Sequence, residues 1–141
     1  MGWITPKTDW QVKIVDGKYV GDYFNAEDFN RIKNNLIYLH ALAIKLYKKF
    51  SIAYTGTDKT AGDYFYADEI NKLEQNLHLI NTRSINQNYG NNRWYYQNQP
   101  TMNAAELNKI ESATLDLYEQ LTNEYNGRRK LTFNFGIKEV F

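Results

Sequence analysis

One string of residues occurs three times, and this recurrence limits the possible folds more than any other feature of the chain. Gly21-Asp22-Tyr23-Phe24-Asn25-Ala26-Glu27-Asp28-Phe29-Asn30-Arg31-Ile32-Lys33-Asn34-Asn35-Leu36 returns as Gly62-Asp63-Tyr64-Phe65-Tyr66-Ala67-Asp68-Glu69-Ile70-Asn71-Lys72-Leu73-Glu74-Gln75-Asn76-Leu77. It returns more loosely as Pro100-Thr101-Met102-Asn103-Ala104-Ala105-Glu106-Leu107-Asn108-Lys109-Ile110-Glu111. With Asn30, Asn71 and Asn108 in register the offsets are 41 and 37 residues, and an apolar residue, Ala, acid, apolar, Asn, base and apolar recur in matching columns. A period of this size marks one supersecondary unit used repeatedly. The 141 residues are enough for one domain with one core. That domain, residues 1–141, divides into repeats at about 21–49, 62–84 and 100–125, followed by a C-terminal tail over 128–141.

Each copy reads as the start of a helix. With Asn25 as N-cap, Asp28 stands at the third helical position and can reach back to the cap N–H, and Asn103 and Glu106 stand in the same relation. The residue before each cap is apolar and meets another at the fourth helical position, as Phe24 with Phe29, Phe65 with Ile70 and Met102 with Leu107. Tyr66 takes the cap position of the second copy without a short side-chain oxygen, which predicts a start that frays or slips to Asp68.

Downstream, apolar residues keep a 3-4 spacing: Phe29, Ile32, Leu36, Leu39, Ala43 and Leu46, then Ile70, Leu73, Leu77 and Ile80, then Leu107, Ile110, Thr114, Leu117 and Leu121. Helices are expected over about 26–49, 67–84 and 103–125. The fold class is mainly α, a three-helix bundle with long aromatic-rich connectors. Each connector is long enough to run back along its helix and start the next one parallel to it, and an antiparallel arrangement with ordered loops fits as well. The segments Tyr19 to Phe24, Tyr64 to Tyr66 and Trp94 to Tyr96 are read as short extended pieces. Leu131, Phe133 and Phe135 alternate after Gly127, which predicts an extended tail suited to a partner.

Little in the chain points to catalysis. Seventeen basic and sixteen acidic residues give a net charge of +1, so no general field holds nucleic acid or an anionic membrane. Cysteine is absent, and only His40 and His78 offer imidazole; each follows a seam residue and reads as a partly buried polar neighbour of the seam. No metal-binding His-Glu-x-x-His, phosphate loop or nucleophile elbow occurs. The chain is therefore read as non-enzymatic, with no catalytic, cofactor-binding or metal-binding residues and no cofactor. The start, Met1 to Lys7, lacks the pattern of a secretory signal and reads as mature sequence, and the apolar run Leu36 to Tyr47 is too short to span a bilayer.

Two polar features invite binding hypotheses. Asn30, Asn71 and Asn108 recur inside helices, where Asn has poor propensity. Their carboxamides either lock the domain by binding the backbone of a connector or recognise a ligand or neighbouring chain. Asn91 to Gln99, with Trp94, Tyr95 and Tyr96 at its centre, suits a protein interface, stacking against sugar rings, or a loop folded onto the helices. The candidate partner-binding residues are thus Trp94, Tyr95, Tyr96, Leu131, Phe133 and Phe135. Those assigned to the helix starts are Asn25, Asp28, Asn30, Asn71, Asn103, Glu106 and Asn108.

Residues 22–36, preceded by Thr5-Pro6-Lys7-Thr8-Asp9-Trp10, resemble small proteins found among the tail and baseplate genes of phages and prophages of Gram-positive bacteria. The resemblance covers about the first 40 residues closely and the later copies loosely. It implies a structural or assembly role in the virion tail or baseplate, made in the bacterial host cytoplasm. The resemblance implies other virion proteins as partners; the tail suggests a homo-oligomer, the Trp94 to Tyr96 loop a host glycan, and the net charge and short apolar run point to no nucleic acid and no membrane. A carbohydrate-binding receptor-recognition module is the alternative.

Overall fold

The computed structural model describes residues 2–90, 94–97 and 102–135. The elements in order are β1 (Ile14–Val15), β2 (Lys18–Tyr19), α1 (Ala26–Leu46), α2 (Ala67–Thr82) and α3 (Ala104–Phe135). The core is built from the 3-4 stripes. Every seam residue anticipated on the three helices is buried, from Phe29 through Leu46, Ile70 through Ile80 and Leu107 through Leu121. Each large aliphatic or aromatic side chain so buried contributes roughly 1.5–3 kcal/mol, so the seam dominates the stability of the bundle.

The connectors show how the helices run. After Leu46 the chain turns back: Ala53 is bonded to Asn76 in mid-α2, Lys59 to Asn30 in the second turn of α1, and Phe65 lies 4.9 Å from Phe24 and 5.6 Å from Phe29 between ring centroids. Helix α2 therefore begins beside the start of α1 and runs parallel to it. Tyr95, bonded to Asn71 near the start of α2 and to Glu106 in the first turn of α3, returns the chain in the same way before α3. At the far end Tyr47 meets Glu124, and Arg128 donates to the Leu46 carbonyl. Of the two arrangements compatible with the connector lengths, the protein adopts the parallel one.

Several elements depart from the expected bounds. Helix α2 starts at Ala67, not Asp68, because the Glu69 carboxylate accepts the Tyr66 N–H at 3.0 Å, a contact that asks nothing of the cap side chain. Asp28 does the same for Asn25 at 2.9 Å, and Asn103 caps α3 through its side chain, accepting the Glu106 N–H at 2.9 Å. Helix α1 stops at Leu46, three residues early; Tyr47 is extended, and His40 holds the departing chain through a 2.7 Å contact with the Phe50 carbonyl. His40 is half-buried as expected, but His78 is exposed.

The largest departure is at the C-terminus. The expected extended tail is helical through Phe135, the last described residue, so the strand reading of Leu131, Phe133 and Phe135 does not hold. Gly127 costs a helix only about 1 kcal/mol relative to Ala, and the exposed pair of Arg128 with Glu124 one turn earlier at 2.6 Å returns about 0.3–0.5 kcal/mol of it. Residues 136–141 of the tail lie outside the described residues.

An additional element precedes α1. Asp16 and Gly17, both with positive φ, form the two-residue turn of a β-hairpin, with Ile14 opposite Tyr19 and Val15 opposite Lys18. Asp-Gly between Ile14-Val15 and Lys18-Tyr19-Val20 was a readable signal for this hairpin.

Candidate functional site: asparagine clamps and connector aromatics

The three repeated asparagines share one geometry. Asn30 donates from Nδ2 to the Lys59 carbonyl at 2.8 Å and accepts the Lys59 N–H at 2.7 Å. Asn71 does the same with Tyr95 at 2.9 and 2.7 Å, and Asn108 with Trp10 at 3.0 and 2.7 Å. In an extended segment the N–H and C=O of one residue point to the same side, and a carboxamide presents the matching donor and acceptor. Asp would accept without donating. Of the readings open at the level of sequence, the protein uses the carboxamides to bind its own connectors.

A second set of clamps holds the connectors further from the helix starts. Asn35 binds Ile4 through both its amide atoms at 3.0 and 2.7 Å, and Asn76 binds Ala53 at 2.8 and 2.9 Å. Asn35 and Asn76 occupy equivalent positions of the repeat, where the third copy carries Ala113. The segment before α1 is thus pinned to α1 at Ile4 and to α3 at Trp10, and the segment before α2 to α2 at Ala53 and to α1 at Lys59. The segment before α3 is clamped at Tyr95, while its earlier part is turned by Asn81, which binds Gln87 at 2.6 and 2.8 Å. Sequence reasoning singled out the first set and missed Asn35, Asn76 and Asn81, although the duplicated Asn-Leu at 35–36 and 76–77 carried the signal.

Three residues below each clamp lies a buried charged position: Lys33, Glu74 and Glu111. Glu111 accepts Arg31 at 2.7 and 2.8 Å, the Trp10 indole at 2.5 Å and the Lys7 N–H at 3.2 Å. Burial works against the Arg31 cation, but Glu111 and then Asp28 outweigh it and leave the guanidinium above its ordinary value. Lys33 reaches Asp58 at 2.6 Å and the Gly56 carbonyl at 3.2 Å. Both oxygens of Glu74 are buried without a hydrogen-bond partner. Desolvation pushes this carboxyl above its ordinary value, Lys109 opposing and Glu106 adding to the shift.

Around the helix starts the polar groups are already engaged. Lys59 pairs with Glu69 at 3.0 Å and lies 5.2 Å from the Phe29 ring centre and 5.9 Å from those of Phe65 and Tyr66. A cleft of about 720 Å³ opens between α1 and the segment before α2, lined in part by Phe24, Asn30, Arg31, Lys59 and Phe65. Its Arg31, Asn30 and Lys59 are the residues held in the contacts just described. Tyr47, beside Glu124, is pushed up to about 12 by burial and then by that carboxylate. Among the described residues no group of three His, Asp or Glu side chains is placed to hold a metal ion. No described helix is long and apolar enough to cross a membrane.

The aromatic residues of the connectors divide by function. Tyr95 is buried, its backbone clamped and its hydroxyl 2.5 Å from Glu106, so it anchors the loop and is not available to a partner. Trp94 and Tyr96 on either side are exposed, as alternation in an extended segment requires. Tyr23 and Tyr64, at equivalent positions of the first two copies, are exposed beside the Phe24–Phe65 contact. Leu131, Phe133 and Phe135 fall on the last turns of α3. No protein-family model, curated protein or solved structure matches the chain.

Proposed function

We propose that this chain is a non-enzymatic structural or assembly component of a phage tail or baseplate, acting through protein–protein contacts. The observation that carries this reading is the division of labour along the connectors. Asparagine side chains fix the connector backbone at Ile4, Trp10, Ala53, Lys59 and Tyr95, with Trp10 and Tyr95 buried, while Tyr64, Trp94 and Tyr96 project from the clamped segments into solvent. Aromatic side chains held on a preorganised backbone are the anchors that protein interfaces favour, since little entropy is lost when they are covered. The threefold repeat, the parallel bundle and the likeness of residues 5–36 to small tail and baseplate proteins support the same reading.

Mass spectrometry and immunogold labelling of purified particles from a strain carrying the gene test it. The chain is expected in tail-containing particles at a fixed copy number, and deletion of the gene is expected to leave incomplete tails. Absence from intact, infectious particles overturns the proposal. Binding to arrayed glycans that is lost on Trp94→Ala and Tyr96→Ala would assign these aromatics to carbohydrate recognition instead.

A further inference from the structure

The β1–β2 hairpin lies outside the buried seam and carries four exposed aliphatic residues, with Val12 62% and Ile14 65% exposed and Val15 and Val20 also open to solvent. An isolated two-stranded hairpin is marginal in water, yet this one is carefully held. Val20 N–H donates to the Lys13 carbonyl at 2.7 Å and Asp22 N–H to the Gln11 carbonyl at 3.0 Å. The Tyr19 hydroxyl closes the base by donating toward the Asp22 and Gln11 carbonyls at 2.5 and 3.2 Å. Gly21 lets the strands approach, since a Cβ there would stand 2.5 Å from the Gln11 oxygen and 2.7 Å from the Lys13 nitrogen.

The two edges of the hairpin differ. On the β2 side the Tyr19 carbonyl accepts the Tyr23 hydroxyl at 3.3 Å, and the Tyr23 ring packs edge-on against Tyr19 at 5.0 Å. That edge is covered. On the β1 side Gln11 and Lys13 point their backbone groups into the hairpin, so by alternation Val12 and Ile14 point theirs outward. We propose that this edge takes up a strand from another protein, and that the strand alternates aliphatic and acidic residues. The inference rests on the assembly role proposed above and names the chemistry of one partner.

The side chains decide the alternation. Val12, Ile14 and Tyr19 share one face of the hairpin, and Lys13, Val15, Lys18 and Val20 the other. Lys13 and Lys18 are exposed and form no ion pair among the described residues. An added strand therefore meets Val12 and Ile14 on one face, and on the other it meets Lys13 directly, beside Val15, with Lys18 across the hairpin as the next nearest charge. A second copy of the hairpin is a poor occupant. Antiparallel pairing of Val12 and Ile14 with their counterparts sets Lys13 directly opposite Lys13, and like charges in that position are destabilising. Centring the pair on Ile14 instead runs the second strand into the positive-φ Asp16-Gly17 turn.

The test uses the full chain with two octapeptides, one alternating valine and glutamate and one alternating valine and lysine, followed by amide chemical shifts. The Val/Glu peptide is expected to shift residues 11–15 and to bind at least about tenfold more tightly than the Val/Lys peptide. Ile14→Pro, which removes an outward N–H donor, is expected to abolish the shifts while circular dichroism shows the helices unchanged. Equal binding of both peptides, shifts elsewhere, or binding retained in Ile14→Pro overturns the proposal. So does a dimer in sedimentation that Ile14→Pro dissociates, or adsorption to phosphatidylserine vesicles that is lost with Lys13→Glu and Lys18→Glu. Absence of the chain from virions with peptide binding intact would remove the virion reading alone.

Discussion

Glu111 and Glu74 occupy the same position of the repeat on neighbouring helices, are 0% and 2% exposed, and live in opposite electrostatic circumstances. Glu111 has a guanidinium, an indole and a backbone N–H around its two oxygens, whereas those of Glu74 have no hydrogen-bond partner. A duplicated sequence register thus preserves where a side chain goes without preserving what meets it. The difference comes from the other side of each contact. Trp10 and Arg31 supply donors to Glu111; Tyr95, which takes the place of Trp10 at the clamp, sends its hydroxyl to Glu106 on α3 instead.

The largest expected effect tests the satisfied member of the pair. Glu111→Ala leaves the Trp10 indole without its acceptor and Arg31 with Asp28 as its one remaining carboxylate, and is expected to cost about 3 kcal/mol, the lower end for removal of one partner from a buried ion pair. Urea midpoints at neutral pH measure it. A loss below about 1 kcal/mol would mean that water reaches Arg31 and that the contrast with Glu74 is not one of burial.

Next in size is the seam that both glutamates adjoin. Leu36→Ala and Leu77→Ala, at equivalent positions on α1 and α2, are each expected to cost about 2–5 kcal/mol from lost burial and the cavity left behind. Leu36 is 1% exposed and Leu77 4%, so similar losses are expected, and a large disparity would show that the region around Glu74 collapses more readily.

The seam was fully legible in the sequence because its information is local, carried by spacings of three and four residues. The direction of the helices was not, because it is set by contacts such as Trp10 with Asn108, 98 residues apart, and Lys59 with Asn30, 29 apart. The repeated Asn marked the clamps without naming the residue each would hold. At Trp94 to Tyr96 composition identified an aromatic loop, but only placement of the Tyr95 backbone on Asn71 decides which rings face inward. Beyond Gly127, alternation at Leu131, Phe133 and Phe135 looked like a strand, although Leu131 and Phe135 are also one helical turn apart. Neither period excludes the other over five residues, and continuation of α3 settles the choice.

The clamps offer a finer comparison. Asn108→Ala and Asn71→Ala each remove the two hydrogen bonds that a carboxamide makes to a connector N–H and C=O, at an expected cost of about 1–3 kcal/mol. The bonds to Tyr95 are buried and those to Trp10 part-buried, so Asn71→Ala is expected to be the more damaging. Hydrogen exchange at the Tyr95 and Trp10 amides locates the loss. Protection unchanged in both variants would mean the carboxamides do not hold the connectors.

The smallest effect concerns Glu74 itself. Its carboxyl lies above the ordinary value of 4.5 in the folded protein, chiefly through burial, so the folded state binds a proton that the unfolded state has released over the interval between the two values. Stability is then greatest below about pH 4.5 as far as this group is concerned, and falls as pH rises through the folded value. Asp58 and Asp63, held below their ordinary 3.8 by Lys33 and by the Thr60 backbone, respectively, act in the opposite sense and only at lower pH. Glu74→Gln removes the first contribution and leaves the others. The variant is expected to exceed the parent by on the order of 1 kcal/mol at neutral pH, the scale of one buried unsatisfied group, and the gap should close as pH falls toward 4.5. Denaturant midpoints of both proteins across that range decide the matter. A variant less stable than the parent at neutral pH would show that Glu74 is ionised and paired, most directly with Lys109, which occupies the position of Arg31 in the third copy; the two glutamates would then be alike after all.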